Sequence, residues 1–442
     1  MSRFALFFSE SQRSRMLKAI VAVMLCWFAL EPALMSSEVR VSNADDELYV
    51  EGLNNFGTAT DYRIFDYSIG RFYGGLKFYL WEHLLALESA VWLIFWRTLA
   101  YASVVISAAW FMARWFSHGG IAWVLMAILW GGLAFAYSYH AYLSPIFLVF
   151  GWSAGWVMAG LSLEPDSSRN RQFLVTVFFL GLIIHENNIG FAGIPFAVRW
   201  ARYGWRAVPR MAELHTLLGI LIITYLVFWW GLRVWTASYG LFPGNVYGGA
   251  SVNFSWQIIP ATAIYSLSGL PGLEAWLERA SSTGLLVGPS EWWYRVVHGL
   301  KYWDFISALG VGGAVWWAGS RIKVTDSTGA SISSHIRLGV VLVVWAFGSQ
   351  VLLAATPKYQ VWSHQRMWPY YQSLNATVVW QVLALLVFVV LVATVMPRLG
   401  RAGKVLILVI SLLAAINTLA VKAMNRVIVM QFEQAPFYHH GH

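Results

Sequence analysis

The sequence predicts an all-α, polytopic membrane protein with about eleven transmembrane helices, a short helical hairpin among them, and large outer (periplasmic) loops that carry interfacial helices. Three observations lead there. Hydrophobic residues make up 58% of the chain and charged residues only 12%, about half the charge of an ordinary soluble domain. The 26 Trp and 20 Tyr cluster near the ends of apolar runs, where an interfacial aromatic belt belongs. The basic residues behind the net charge of +9 gather in particular short connections, which assigns that charge to topology and not to nucleic acid.

The first apolar run, residues 19–34, follows Arg3, Arg13, Arg15 and Lys18, so the positive-inside rule keeps the N-terminus cytoplasmic. No A-x-A cleavage site follows it, and it reads as a retained helix. Within it lies Cys26, the single cysteine, so neither an internal disulfide nor a cysteine-based metal site is expected. Further spans are expected near 98–116, 121–136, 146–163, 214–232, 306–320, 338–355, 374–396 and 405–419. The connections holding Arg321, Lys323 and Arg337, then Arg398, Arg401 and Lys404, fall on the cytoplasmic side. No linker or repeat divides residues 1–442, which read as a single domain.

The segment 173–200 decides the count. Arg169 and Arg171 precede it, and Arg199, Arg202, Arg206 and Arg210 close it, so one crossing would put a basic cluster outside. Two crossings restore the rule. Each arm then has about twelve residues, or about 18 Å, against a hydrocarbon core of about 30 Å. Its tip, His185-Glu186-Asn187-Asn188, ends below the outer surface, where polar backbone is tolerated only against protein or a water-filled cavity. The bland account of His185 and Glu186 is that they satisfy loose backbone groups at the tip. With the hairpin counted as two crossings, the C-terminus lies outside.

This topology leaves outer loops near 35–92, 233–302 and 356–373. The first carries Asp45-Asp46-Glu47, a row of carboxylates just outside the bilayer, positioned to deprotonate or orient a nucleophile. An aromatic, amphipathic stretch follows, from Tyr62 through Gly70-Arg71-Phe72, and should lie in the interface plane. The third loop reads Thr356-Pro357-Lys358-Tyr359 and then His364-Gln365-Arg366-Met367-Trp368-Pro369-Tyr370-Tyr371. Two cations and a histidine beside aromatics at a membrane surface make a cradle for a lipid phosphate. Each has a plainer account: solvated loop acids, headgroup-binding cations, and belt tyrosines at Tyr370 and Tyr371. Arg97 lies near the outer end of its span, where snorkelling to the headgroups is as good an account as a functional role. No metal spacing is evident; a divalent cation on Asp45 and Asp46 is an open alternative, and no cofactor is otherwise expected. Asn253-Phe-Ser and Asn375-Ala-Thr match the glycosylation acceptor pattern.

The acidic cluster, the Gly70-Arg71-Phe72 segment, the hairpin with His185-Glu186 and the late loop from Arg366 to Tyr371 together resemble the GT-C superfamily of integral membrane glycosyltransferases. The resemblance covers most of the chain as topology but only these positions as motif. It implies transfer of a sugar from a polyprenyl-phosphate-linked donor at the periplasmic face of the bacterial cytoplasmic membrane, with inversion. An acidic residue of the first outer loop, here Asp45 or Asp46, would stand at the reaction centre. Arg366, Lys358, His364 and Arg71 would neutralise the departing phosphate, while His185, Glu186, Glu47, Tyr370 and Tyr371 would line or orient the cavity. Acceptors compatible with that face are a cell-surface glycan, lipid A or a secreted protein such as a pilin. A membrane transporter or lipid flippase would show a similar number of spans, but without paired repeats and with acids in the loops the chain fits it less well.

Overall fold

A computed structural model describes residues 10–35, 90–131, 146–184, 186–207, 212–238, 253–267, 269–270, 298, 300–321, 331–357, 360–361 and 370–434. All regular structure among them is helical. In chain order the elements are α1 (Glu10–Met35), α2 (Ala90–Phe116), α3 (Gly119–Gly131), α4 (Ile146–Leu161), α5 (Ser168–Ile184), a 3-10 segment (Glu186–Gly193), α6 (Ile194–Tyr203), α7 (Ala212–Ser238), α8 (Ile258–Leu267), α9 (Tyr302–Arg321), α10 (Ile332–Ala354) and α11 (Tyr370–Thr394). A single turn, Met396–Leu399, leads into α12 (Arg401–Gln434).

Among the described residues, five helices are long and apolar enough to cross a membrane, within α2, α7, α10, α11 and α12. Shorter apolar helices lie in α1, α3, α4 and α8. The expected spans therefore fall on helices, of which five among the described residues meet that length and composition. The outward faces agree with an apolar surrounding: only 11% of the α7 window is buried, with Ile220, Ile223, Val227 and Trp230 exposed. Such a surface is compatible with a multi-pass membrane protein, since water would penalise a patch of that size.

Helix contacts are made through small residues. In α9, Ser307, Ala308, Val311, Gly312, Val315, Ala318 and Gly319 form a buried stripe at spacings of three and four. A Cβ on Gly312 would lie 2.9 Å from the Ser411 carbonyl oxygen of α12, so these two backbones touch where no side chain intervenes. This close approach is how helices gain dispersion energy in lipid, where burial of apolar groups alone contributes little. The pairs Gly312–Ser411 and Gly319–Ile407 set α9 and α12 antiparallel. Aromatic packing fills the centre: Trp156 is fully buried and its ring lies 4.4 Å from that of Trp345.

The segment expected as a hairpin is one, though asymmetric. Its first arm, α5, has 17 residues and spans about 26 Å; the return is the 8-residue 3-10 segment followed by the 10-residue α6. Both ends finish together. Arg199 of α6 donates from Nε to the Ser162 carbonyl (2.9 Å) and from Nη2 to that of Glu164 (2.8 Å), in the turn that precedes α5. Arg202 donates to the Trp115 carbonyl at the end of α2, and Arg337 of α10 to the Ala201 carbonyl. Arg171 pairs with Asp166 and Glu213, and Arg114 with Glu164. These contacts define a basic end of the bundle. At the turn, Asn188 donates to the Gly181 carbonyl (2.9 Å), satisfying an acceptor that the end of α5 leaves open. The backbone of Glu186 opens the 3-10 segment; His185 lies outside the described residues.

Four readings of the sequence change. The interval 233–302 is not one loop, because α7 runs on to Ser238 and α8 occupies its middle. Arg97 does not reach for headgroups: it is 1% exposed and faces the bundle interior. Asn375 is buried in α11, which removes it as a glycosylation acceptor. Tyr370 and Tyr371 open α11 and so are helical, not loop, residues.

Candidate functional site

Asp45, Asp46, Glu47, Arg71, His185, Lys358, His364 and Arg366 lie outside the described residues, as do the side chains of Glu186, Tyr370 and Tyr371. What is described is the framework from which the segments carrying most of them depart. α1 ends at Met35 before residues 36–89, α7 ends at Ser238 before 239–252, and α10 ends at Ala354 ahead of 358–369. All these ends lie opposite the basic end, where side-chain bonds hold the end of α1 against α9 and α12, and residues 253–255 against the end of α10.

The end of α1 is held against α9 and α12 by a buried network of four charges. Lys422 Nζ of α12 donates to Glu31 Oε2 of α1 at 2.6 Å, and Arg426 Nη2 lies 3.6 Å from Glu31 Oε1. Arg426 also grips Asp304 of α9 with two parallel bonds, Nε to Oδ2 at 3.0 Å and Nη2 to Oδ1 at 2.8 Å. Asp304 is fully buried and Lys422 is 1% exposed. The fork geometry and charge assistance make this a strong arrangement. Asp304 further accepts from the Lys301 backbone N–H at 2.7 Å, and it sits in the first turn of α9, where the helix dipole favours an anion. Trp27 and Trp303 pack beside it with ring centroids 5.7 Å apart.

Chemically the network is a clasp. Its two carboxylates face two cations, so the net charge is zero and neither acid is left as a free base. Its effect is positional: it fixes the last turn of α1, four residues before the chain enters 36–89, against the start of α9 and the last third of α12. From Arg401 to Lys422 is 21 residues, about 32 Å of helix. That length matches the thickness of a hydrocarbon core.

The second and third segments are joined by Gln360. Its Nε2 donates to the carbonyls of Asn253 (2.8 Å) and Ala354 (3.1 Å), and its Oε1 accepts from Asn253 Nδ2 (3.3 Å) and Ser255 Oγ (3.1 Å). The Asn253 backbone N–H adds a bond to the Ala355 carbonyl at 2.7 Å. α8 is pinned in turn by Trp380 Nε1, which donates to the Ser266 carbonyl at 2.7 Å.

Sequence reading overlooked Glu31, Asp304, Lys422, Arg426 and Gln360. The four charges carry a usable signal, because ionisable groups inside or at the edge of apolar runs are costly and call for partners. Gln360 carries none, since an amide in a polar loop looks like any other. Among the described residues no group of three or more His, Cys, Asp or Glu side chains converges as a metal site would require. In comparison with known proteins, the chain matches no family model, no curated protein and no solved structure.

Proposed function

We propose that the chain is a membrane glycosyltransferase of the GT-C type, moving a sugar from a polyprenyl-phosphate-linked donor to a cell-surface glycan, lipid or protein acceptor at the outer face of the bacterial cytoplasmic membrane. The observation that supports it most is that two separate sets of side-chain bonds, one holding the end of α1 and one holding residues 253–255 to the end of α10, lie at one end of the bundle, opposite the basic connections. A reaction centre assembled from distant loops needs such a common base, because small displacements of reacting groups are costly to rate.

In this reading Asp45 or Asp46 accepts the proton of the acceptor hydroxyl as its oxygen attacks the anomeric carbon. The bond from that carbon to the phosphate oxygen breaks, and the polyprenyl phosphate departs with the electron pair. Attack from the opposite face inverts the configuration. Lys358 and Arg366, with His364 and Arg71, meet the negative charge that develops on the leaving phosphate, and preorganised cations contribute most at that point.

The buried charges bear on a second reading, a transporter or lipid flippase, because intramembrane charge often marks a translocation path. Their mutual pairing favours the clasp instead. Purified protein in detergent, given a radiolabelled sugar on polyprenyl phosphate and an envelope acceptor, is expected to transfer the label, and an Asp45→Asn/Asp46→Asn double variant is expected to lose transfer while keeping its expression and fold. Label moved across sealed vesicles with every glycosidic bond intact would instead establish transport.

A further inference from the structure

A cavity of about 290 Å³ lies between α3, α9, α11 and α12, away from the joined loop ends. Its floor is Val311 and Val315 of α9, and α12 forms one wall with Ile410, Leu413, Ala414, Asn417 and Thr418. Gln381, Leu385 and Phe388 of α11 stand opposite. Leu413 is strongly exposed, so the mouth opens sideways, between helices long and apolar enough to span a bilayer. Lipid is therefore the medium at its entrance.

The lining is graded along the helix axes. Gln381 is six residues inside its span counted from Asn375, and Asn417 six residues inside its own counted from Ala423. Both amides thus sit at one depth, about 9 Å from the loop-bearing end. Phe388 and Ile410 are each thirteen residues in, about 20 Å deep. Gln381 is only 6% exposed, yet neither amide has a hydrogen-bond partner among the described residues, whereas Thr418 is satisfied by the Ala414 carbonyl. A buried amide in an apolar site is costly unless something bonds to it.

We propose that this cavity is a binding site for one acyl chain of a bilayer lipid, entering tail-first from the loop-bearing leaflet, with the carbonyl at the root of the chain accepting from Gln381 Nε2 and Asn417 Nδ2. The polar end is shallow and the apolar end deep, which is the polarity order of an acyl lipid. A bare isoprenoid offers no acceptor at that depth. The site rests on the membrane placement of α11 and α12 and is independent of sugar transfer.

The full chain in nanodiscs is tested with a phosphatidylglycerol carrying a diazirine on one ester-linked chain, its ether-linked counterpart, and a diazirine-bearing polyprenyl phosphate. Peptide mapping is expected to place the ester lipid on residues 381–388 and 410–418, with labelling by the ether lipid, and by the ester lipid in a Gln381→Leu/Asn417→Leu variant, reduced about tenfold, as the loss of two hydrogen bonds implies. Those substitutions keep both helices apolar, so folding is checked by an unchanged elution profile. Equal labelling by ester and ether lipids, equal labelling of the variant, or preferential labelling by the polyprenyl phosphate would each overturn the proposal.

Discussion

Lys422 and Glu31 are adjacent to a second ion pair, and that arrangement makes their contribution testable. Removing one member strands a buried charge; removing both leaves Arg426 on Asp304 as a balanced pair. A Lys422→Met variant is expected to lose about 3–5 kcal/mol of stability, while a Glu31→Leu/Lys422→Met double variant recovers most of it. Thermal unfolding of both in the same detergent decides this, and equal loss in single and double variants would show that the two residues act separately. At this scale little was legible beforehand. Asp45 and Arg366 draw attention because their neighbours are polar or aromatic, whereas Lys422 and Arg426 follow a long apolar run in α12, and only the fold brings Glu31 to them across nearly the whole chain.

Among the elements, α9 and α12 depend most on what is missing from their contact. Gly312 faces the Ser411 carbonyl, and Gly319 faces Ile407 and Phe388. Gly312→Leu is expected to force the two helices apart and to cost about 1–3 kcal/mol, read as a lowered unfolding temperature. Gly313→Leu, one position along and with no neighbour around its Cβ, is the control and should be near neutral. Elements were the most legible part of the sequence, because long apolar runs admit only helices in lipid. The hairpin followed from charge: Arg199 at one end and Arg171 at the other demanded a common side, and their bonds to the turn around Glu164 and Asp166 supply it. What charge could not fix was symmetry, since a 3-10 segment of Glu186–Gly193 has no length signature of its own. α8 was missed for a related reason: ten apolar residues amid Gly and Pro read as part of a loop until Trp380 and Ala355 are seen to hold that stretch.

For the whole molecule, the arrangement amounts to two unlike ends. One is tied by arginines to backbone carbonyls, as at Arg199, Arg202 and Arg337; the other is tied by the four-charge clasp and by Gln360. The proposed chemistry requires the early aspartates and the late arginine to work from the second end. Cys26, the single native cysteine, is exposed on α1 and is first replaced by Ser, so that introduced cysteines report alone. Asp45→Cys, Arg366→Cys and Arg398→Cys variants are then labelled in sealed, oriented vesicles with a membrane-impermeant maleimide. Positions 45 and 366 are expected to react from the same side and position 398 only from the other; labelling of 45 and 366 from opposite sides would contradict a shared site.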